Sequence, residues 1–290
     1  MKSFYSESKA VNYLKLVKFS HTIFAMPFAV TGFFLARHQG YEYKWITLGF
    51  IVLCMVFARN AAMAFNRYAD REVDLRNPRT ALREIPAGII RPDSALKFVI
   101  FNCLAFIATT FFINRLTLFL SPVALLVILG YSITKRFTSL CHFVLGLGLS
   151  LSPIGAFLSV SGQFEWLPIM FSLIVLFWVS GFDIMYALQD EEFDKQHSLR
   201  SVPTSLGASG ALWFSAISHG ICLAVVVFTG IHWGFRFWYW IGASLFGALL
   251  VYQHLLVKPH DLSQMNKAFF TSNSLAGLVL AFFSILSMLC

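Results

Sequence analysis

Apolar runs long enough to cross a membrane recur nine times along this 290-residue chain. An α-helix rises 1.5 Å per residue, so about 20 apolar residues match the hydrocarbon thickness of a bilayer. Between charged or turn-rich breaks the runs fall at residues 19–37, 45–69, 95–114, 117–134, 140–161, 165–188, 208–231, 237–257 and 267–289. A soluble domain carries about 25% charged residues. Here 12% are charged, 58% are hydrophobic and the mean hydropathy is +0.71. The pattern predicts an all-α integral membrane protein with nine transmembrane helices in one domain over residues 1–290. Only Asn114, Arg115 and Leu116 part the third and fourth runs, which predicts a tight helical hairpin.

The first run follows a basic start and could be mistaken for a secretory signal. It is too long for such a segment and lacks a small-residue cleavage site. Its Pro27 is tolerated in a membrane helix whose neighbours satisfy the freed carbonyl. The five cysteines stand singly in apolar runs, as small buried hydrophobes. With the N-terminus in the cytoplasm, 17 of the 22 Lys and Arg residues fall on the cytoplasmic side and four on the other. That asymmetry sets the orientation under the positive-inside rule. The net charge of +8 is therefore a membrane-surface bias toward anionic lipid and needs no nucleic-acid partner.

Two cytoplasmic loops are long and polar, residues 70–93 and 189–207. Asn66, Asp70 and Asp74 open the first at intervals of four, and Tyr186, Asp190 and Asp194 open the second at the same interval. A continuing helix stacks each triplet on one face. Asp183, seven residues before Asp190, lies on nearly the same face. The triplets are offset by 120 residues, or four helices, which reads as an ancient duplication placing the second and sixth helices opposite one another. Two such carboxylate pairs at one interface repel unless a multivalent cation lies between them. Magnesium takes oxygen ligands and is commonly completed by substrate phosphates. Arg67, Arg71, Arg79, Lys135, Arg136 and Arg200 flank the same region. Carboxylates, magnesium and cations together make a grip for a diphosphate.

At these residues the chain resembles a family. NRYADREVD, from Asn66 to Asp74, is similar to the first Asp-rich motif of the UbiA superfamily of intramembrane prenyltransferases. DIMYALQDEEFD, from Asp183 to Asp194, resembles the second. The likeness continues in Asn77-Pro78-Arg79-Thr80, in the segment Tyr131 to Thr138, and in Lys267-Ala268-Phe269-Phe270. It implies a helical bundle around a cavity that opens sideways to lipid. Asp70, Asp74, Asp190 and Asp194 would hold magnesium and the diphosphate with help from Asn66, under a loop carrying Lys135 and Arg136. Arg67 stands where many members have Asp, which removes one metal ligand and adds a cation.

The resemblance also implies the reaction: a polyprenyl diphosphate ionises, and an electron-rich aromatic acceptor attacks the allylic cation. The KFSHTIFAMPFA opening and the ARNAAMAFNRY segment look most like members of the futalosine route to menaquinone, which act on 1,4-dihydroxy-6-naphthoate. Other relatives use 4-hydroxybenzoate in ubiquinone synthesis. The expected location is a bacterial inner membrane, with the active site facing the cytoplasm.

Arg59 precedes Asn66 by seven residues, two helical turns, on the face of the first Asp triplet and about 16 Å deeper than Asp70. A guanidinium at that depth by default marks function, here a clamp for the acceptor's carboxylate. The alternative is a structural pair with Asp183. His21, His142, His219, Asn102 and Asn273 are expected to make helix–helix hydrogen bonds. A divalent-cation or anion transporter would also use helices and acids, but its polar groups should run through the full membrane depth. An alcohol phosphotransferase would show a contiguous DGxxAR pattern, which the chain lacks.

Overall fold

The computed structural model describes residues 9–17 and 25–290. Twelve α-helices follow in order: α1 Lys9–Leu16, α2 Met26–His38, α3 Trp45–Ala69, α4 Arg71–Arg76, α5 Pro92–Phe111, α6 Arg115–Thr134, α7 Cys141–Ser161, α8 Trp166–Ala187, α9 Glu191–Gln196, α10 Val202–His232, α11 Phe237–Leu256 and α12 Asn273–Leu289. A 3-10 turn, Leu188–Asp190, joins α8 to α9, and a π-helical turn, Lys267–Ser272, leads into α12. Among the described residues, eight helices are long and apolar enough to cross a membrane. They coincide with the second to ninth predicted runs. The first run lies partly outside the described residues, as do Lys2, Lys18 and His21, and its described part is α2.

Local chemistry explains where these helices begin. Asn114 caps α6 by accepting from Thr117 N–H at 2.9 Å, and its amide donates to the Leu158 carbonyl at 2.8 Å. The predicted hairpin is thus closed and pinned to the end of α7. The second polar loop is shorter than the expected 189–207, because α10 starts at Val202. Ser201 and Thr204 form a reciprocal capping box there, and Pro203 sits in the first turn where its missing N–H costs nothing. The apolar run reads as starting at 208 because Gly207, at φ 69°, kinks the helix in a conformation open to glycine.

α8 is the buried spine. Trp178 is fully buried, with the Phe28, Phe182 and Phe246 rings 5.4, 5.2 and 6.2 Å away. α7 lies close against α8: a Cβ on Gly146 would meet Leu176 O at 2.6 Å. The outward faces of other helices carry Phe119, Leu126, Trp213 and Ile231, all exposed, as lipid-facing surfaces require.

The 120-residue offset survives in the architecture. α4 and α9 occupy positions 71–76 and 191–196, each following a long helix, α3 or α8, whose last residue is Ala69 or Ala187. Both short helices lie at the same end of the bundle, where residues 77–91, 135–140 and 197–201 also converge.

Candidate active site

The first triplet keeps its helical register through the break at Asp70. Asp70 N–H donates to Asn66 O at 3.0 Å and Asp74 N–H to Asp70 O at 2.7 Å, so the three side chains stay on one face. Asn66, Asp70, Asp74, Asp183, Tyr186, Asp190 and Asp194 all line one polar pocket, together with Arg67, Lys135 and Arg136.

Each motif acid in the pocket is held by a cation from elsewhere in the chain. Arg79 Nε lies 2.9 Å from Asp190 Oδ1, and its Nη2 also bonds the second oxygen. Asn77 donates to the same carboxylate at 3.1 Å. These contacts tie the first loop to the second. Arg83 Nη1 reaches both oxygens of Asp74 at 2.6 and 2.8 Å. Lys135 Nζ is 3.3 Å from Asp194, and Arg136 Nη2 is 3.6 Å from Asp70 while donating to Ala69 O at 2.7 Å. Burial pulls the Arg79 and Lys135 pKa values down, but the facing Asp190 and Asp194 hold both above their usual range. Asp70 is the least relieved acid: burial first, and Asp74 second, push its carboxyl up to about 6 against the pull of Lys135, Arg136 and Arg83.

Below the polar pocket lies an apolar cavity between α3, α5, α6 and α7, reaching from Arg59 and Tyr131 to Thr117, Leu158 and Phe164. Met63, Tyr131 and Leu145 line both spaces and form their common wall. Arg59 is in this deeper cavity. The alternative partner expected for it is engaged elsewhere: Asp183 Oδ2 lies 2.7 Å from His142 Nδ1. Besides Arg59, two of the sequence-expected residues do not line the polar pocket. Arg71 folds back on its own helix end, bonding Tyr68 O at 2.8 Å and lying 4.8 Å over the Tyr68 ring. Arg200 braces loops instead, through its N–H to Lys135 O at 2.7 Å and Nη1 to Phe137 O at 3.0 Å.

The sequence pattern passed over Arg83, while the helix–helix hydrogen bond expected of His142 is present and its partner is the pocket acid Asp183. Arg83 lies nine residues past Asp74 in an irregular loop, where no periodicity links the two. Phe269, quoted only within a motif, lines the pocket and packs its ring 4.0 Å from that of Tyr186.

The donor chemistry suits a hard divalent cation: four carboxylates line one space, and Asn66, whose amide nitrogen donates to Asp70 at 3.2 Å, stands beside them. Among the described residues no three acid, His or Cys side chains converge closely enough to hold a metal alone. A site of one or two carboxylates completed by substrate phosphates fits that arrangement, and Asp70 is the group such a cation would relieve most.

A family model described as the UbiA prenyltransferase family matches residues 25–275. The 4-hydroxybenzoate octaprenyltransferase of Aliivibrio fischeri (strain MJ11) is 30% identical over 237 residues, covering 81% of this chain and 82% of the relative. Its namesake from Saccharophagus degradans is 31% identical over 231 residues, covering 79% and 76%. The apo structure of a UbiA homologue from Aeropyrum pernix K1 matches with a TM-score of 0.81 at 27% identity, over 93% of this chain and 97% of that one. A UbiA homologue from Archaeoglobus fulgidus bound to GPP and Mg2+ shares the fold, with a TM-score of 0.73 at 18% identity over 96% and 100% of the chains.

Proposed function

The chain belongs to the UbiA prenyltransferase family, and we propose that it transfers a polyprenyl group from a polyprenyl diphosphate to an aromatic hydroxy acid, releasing diphosphate, in quinone biosynthesis. The observation that carries this reading is the junction of two unlike spaces. A polar pocket with four motif acids and their cations lies against an apolar cavity within the bundle, with Met63, Tyr131 and Leu145 lining both. An amphiphilic donor with a charged head and a long apolar tail matches that division. A transporter would need polar groups through the full depth, whereas the deeper cavity is walled mainly by Ile, Leu, Val, Ala and Met side chains.

In this reading Asp70, Asp74, Asp190 and Asp194, with Asn66, hold magnesium, which supplies charge neutralisation to the departing diphosphate. Arg79, Lys135 and Arg136 exchange their carboxylate partners in part for diphosphate oxygens. Tyr186, packed against Phe269, walls the pocket beside the reacting carbon. Arg59 binds the acceptor's carboxylate from below. The relatives' names support 4-hydroxybenzoate as acceptor, and the KFSHTIFAMPFA opening supports 1,4-dihydroxy-6-naphthoate. The chain forms a single domain of nine membrane helices, counting α2 within the first, with its N-terminus and the polar pocket on the cytoplasmic side of a bacterial inner membrane.

The test is a product assay on the purified protein with octaprenyl diphosphate and each acid, with magnesium or with chelator. Magnesium-dependent diphosphate release and a prenylated acid support the reading. Release of neither product with either acid rejects it.

A further inference from the structure

Four acids of the polar pocket are each taken by one cation: Asp70 by Arg136, Asp74 by Arg83, Asp190 by Arg79 and Asp194 by Lys135. A fifth, Asp183, is taken by His142. One pocket cation is left over. Arg67, in the last turn of α3, is only 3% exposed and lines the pocket. Its Nε and Nη1 are buried with no hydrogen-bond partner among the described residues. Asp74 cannot serve it well, because Arg83 already holds both oxygens of that carboxylate.

A buried charge without partners is costly, and a buried N–H left unbonded adds to that cost. A guanidinium is weakly hydrated and suited to phosphate and carboxylate oxygens, so an arriving oxyanion would remove the penalty. We propose that Arg67 is the pocket's oxyanion receptor, with its Nε and Nη1 left unbonded by the described residues and bonded by a substrate's diphosphate or carboxylate oxygen on binding. The identity of that oxyanion rests on the prenyl-transfer reading; the existence of the site does not. Position favours the diphosphate: Arg67 lies among the motif acids, while Arg59, eight residues earlier on α3, faces the apolar cavity. Arg67 thus adds positive charge at the leaving group, and its Nε and Nη1 are hydrogen-bonded to none of the pocket's own acids among the described residues.

The experiment uses the full chain in detergent, as wild type, Arg67→Gln and Arg67→Met. Melting of the empty protein is measured first, then calorimetric binding of inorganic pyrophosphate with magnesium and of 4-hydroxybenzoate. Both variants should melt at or above the wild-type temperature, since each removes an unpaired buried charge. Pyrophosphate affinity should fall at least tenfold in both, with 4-hydroxybenzoate binding unchanged. A loss confined to 4-hydroxybenzoate upholds the receptor and assigns it to the acceptor's carboxylate. Unchanged affinity for both ligands overturns the proposal. So does a variant that melts several degrees lower or fails to fold, because Arg67 then has a partner inside the protein. Prenyl transfer is scored separately: a wild type that binds pyrophosphate through Arg67 but forms no prenylated acid keeps this site and rejects the transferase reading.

Discussion

His142 Nδ1 lies 2.7 Å from Asp183 Oδ2, joining α7 to α8 at the edge of the polar pocket. The Val202 N–H donates to the other ring nitrogen at 3.3 Å, so Nε2 is the acceptor and Nδ1–H donates to the Asp183 carboxylate. One imidazole therefore orients a pocket acid and anchors the start of α10. The same contact gives Asp183 a partner other than Arg59.

Arg59→Ala should raise the KM for the aromatic acid about tenfold or more, the range expected for losing a charged hydrogen bond. The KM for the prenyl diphosphate should barely change. Adding Asp183→Ala should not restore activity, because Asp183 belongs to His142. Steady-state kinetics with each substrate varied in turn decides this; equal weakening of both, with recovery in the double variant, would make Arg59 structural.

His142→Leu keeps an apolar volume but strips Asp183 and the Val202 N–H of their partner. A loss of about 1–3 kcal/mol in stability is expected for unsatisfied buried groups. His142→Asn places a donor near the Nδ1 position and should recover part of it. Melting curves in detergent test both variants, and a silent His142→Leu would remove the anchoring role.

Asp70→Asn and Asp190→Asn should each lower turnover at least about a hundredfold, as catalytic electrostatic groups commonly do. Their stabilities should part. Asp70 is weakly held, by the Asn66 amide at 3.2 Å and a cation at 3.6 Å, and its variant keeps an acceptor for that amide, so it should melt at or above wild type. Asp190 carries the Arg79 and Asn77 bonds between the two loops, and its variant should lose about 1 kcal/mol or more. Full activity in both variants would remove the diphosphate site.

The Asp70 carboxyl titrates near 6 in the fold, against 3.8 for an ordinary Asp. The folded state therefore keeps a proton that the unfolded chain sheds between those values. Stability attributable to this group falls as pH rises through that window, and the penalty is complete above about 6. A divalent cation needs the anion, so magnesium affinity should drop about tenfold per pH unit below 6. Calorimetric titration of magnesium between pH 5 and 8 checks the slope, which Asp70→Asn should flatten.

Single cysteines at Leu75 and Leu199 in a cysteine-free background should both react with an impermeant thiol reagent from the cytoplasmic side. Cys290, kept alone, should react from the other. Labelling of Leu75 and Leu199 from opposite sides would separate the two Asp loops and contradict a shared pocket.

Membrane residence, the position of most helices and the two Asp triplets were legible along the chain, because each rests on local spacing. Helix length follows from counting apolar residues. The alignment of Asn66, Asp70 and Asp74 follows from a rise and turn that every helix shares. The 120-residue offset repeated that local signal, and α4 and α9 carry it in three dimensions. The tertiary structure decided the partners. Arg79, Arg83, Lys135 and Arg136 all sit near the motifs in sequence or space, yet spacing does not say that Arg79 takes Asp190 from 111 residues away. Nor does it say that Arg71 and Arg200 turn aside to backbone carbonyls, that His142 claims Asp183, or that Arg67 forms no ion pair among the described residues. Those outcomes depend on which irregular loops meet at the end of the bundle. A loop has no period to read, and an ion pair forms with whichever opposite charge the packing of the helices brings within reach.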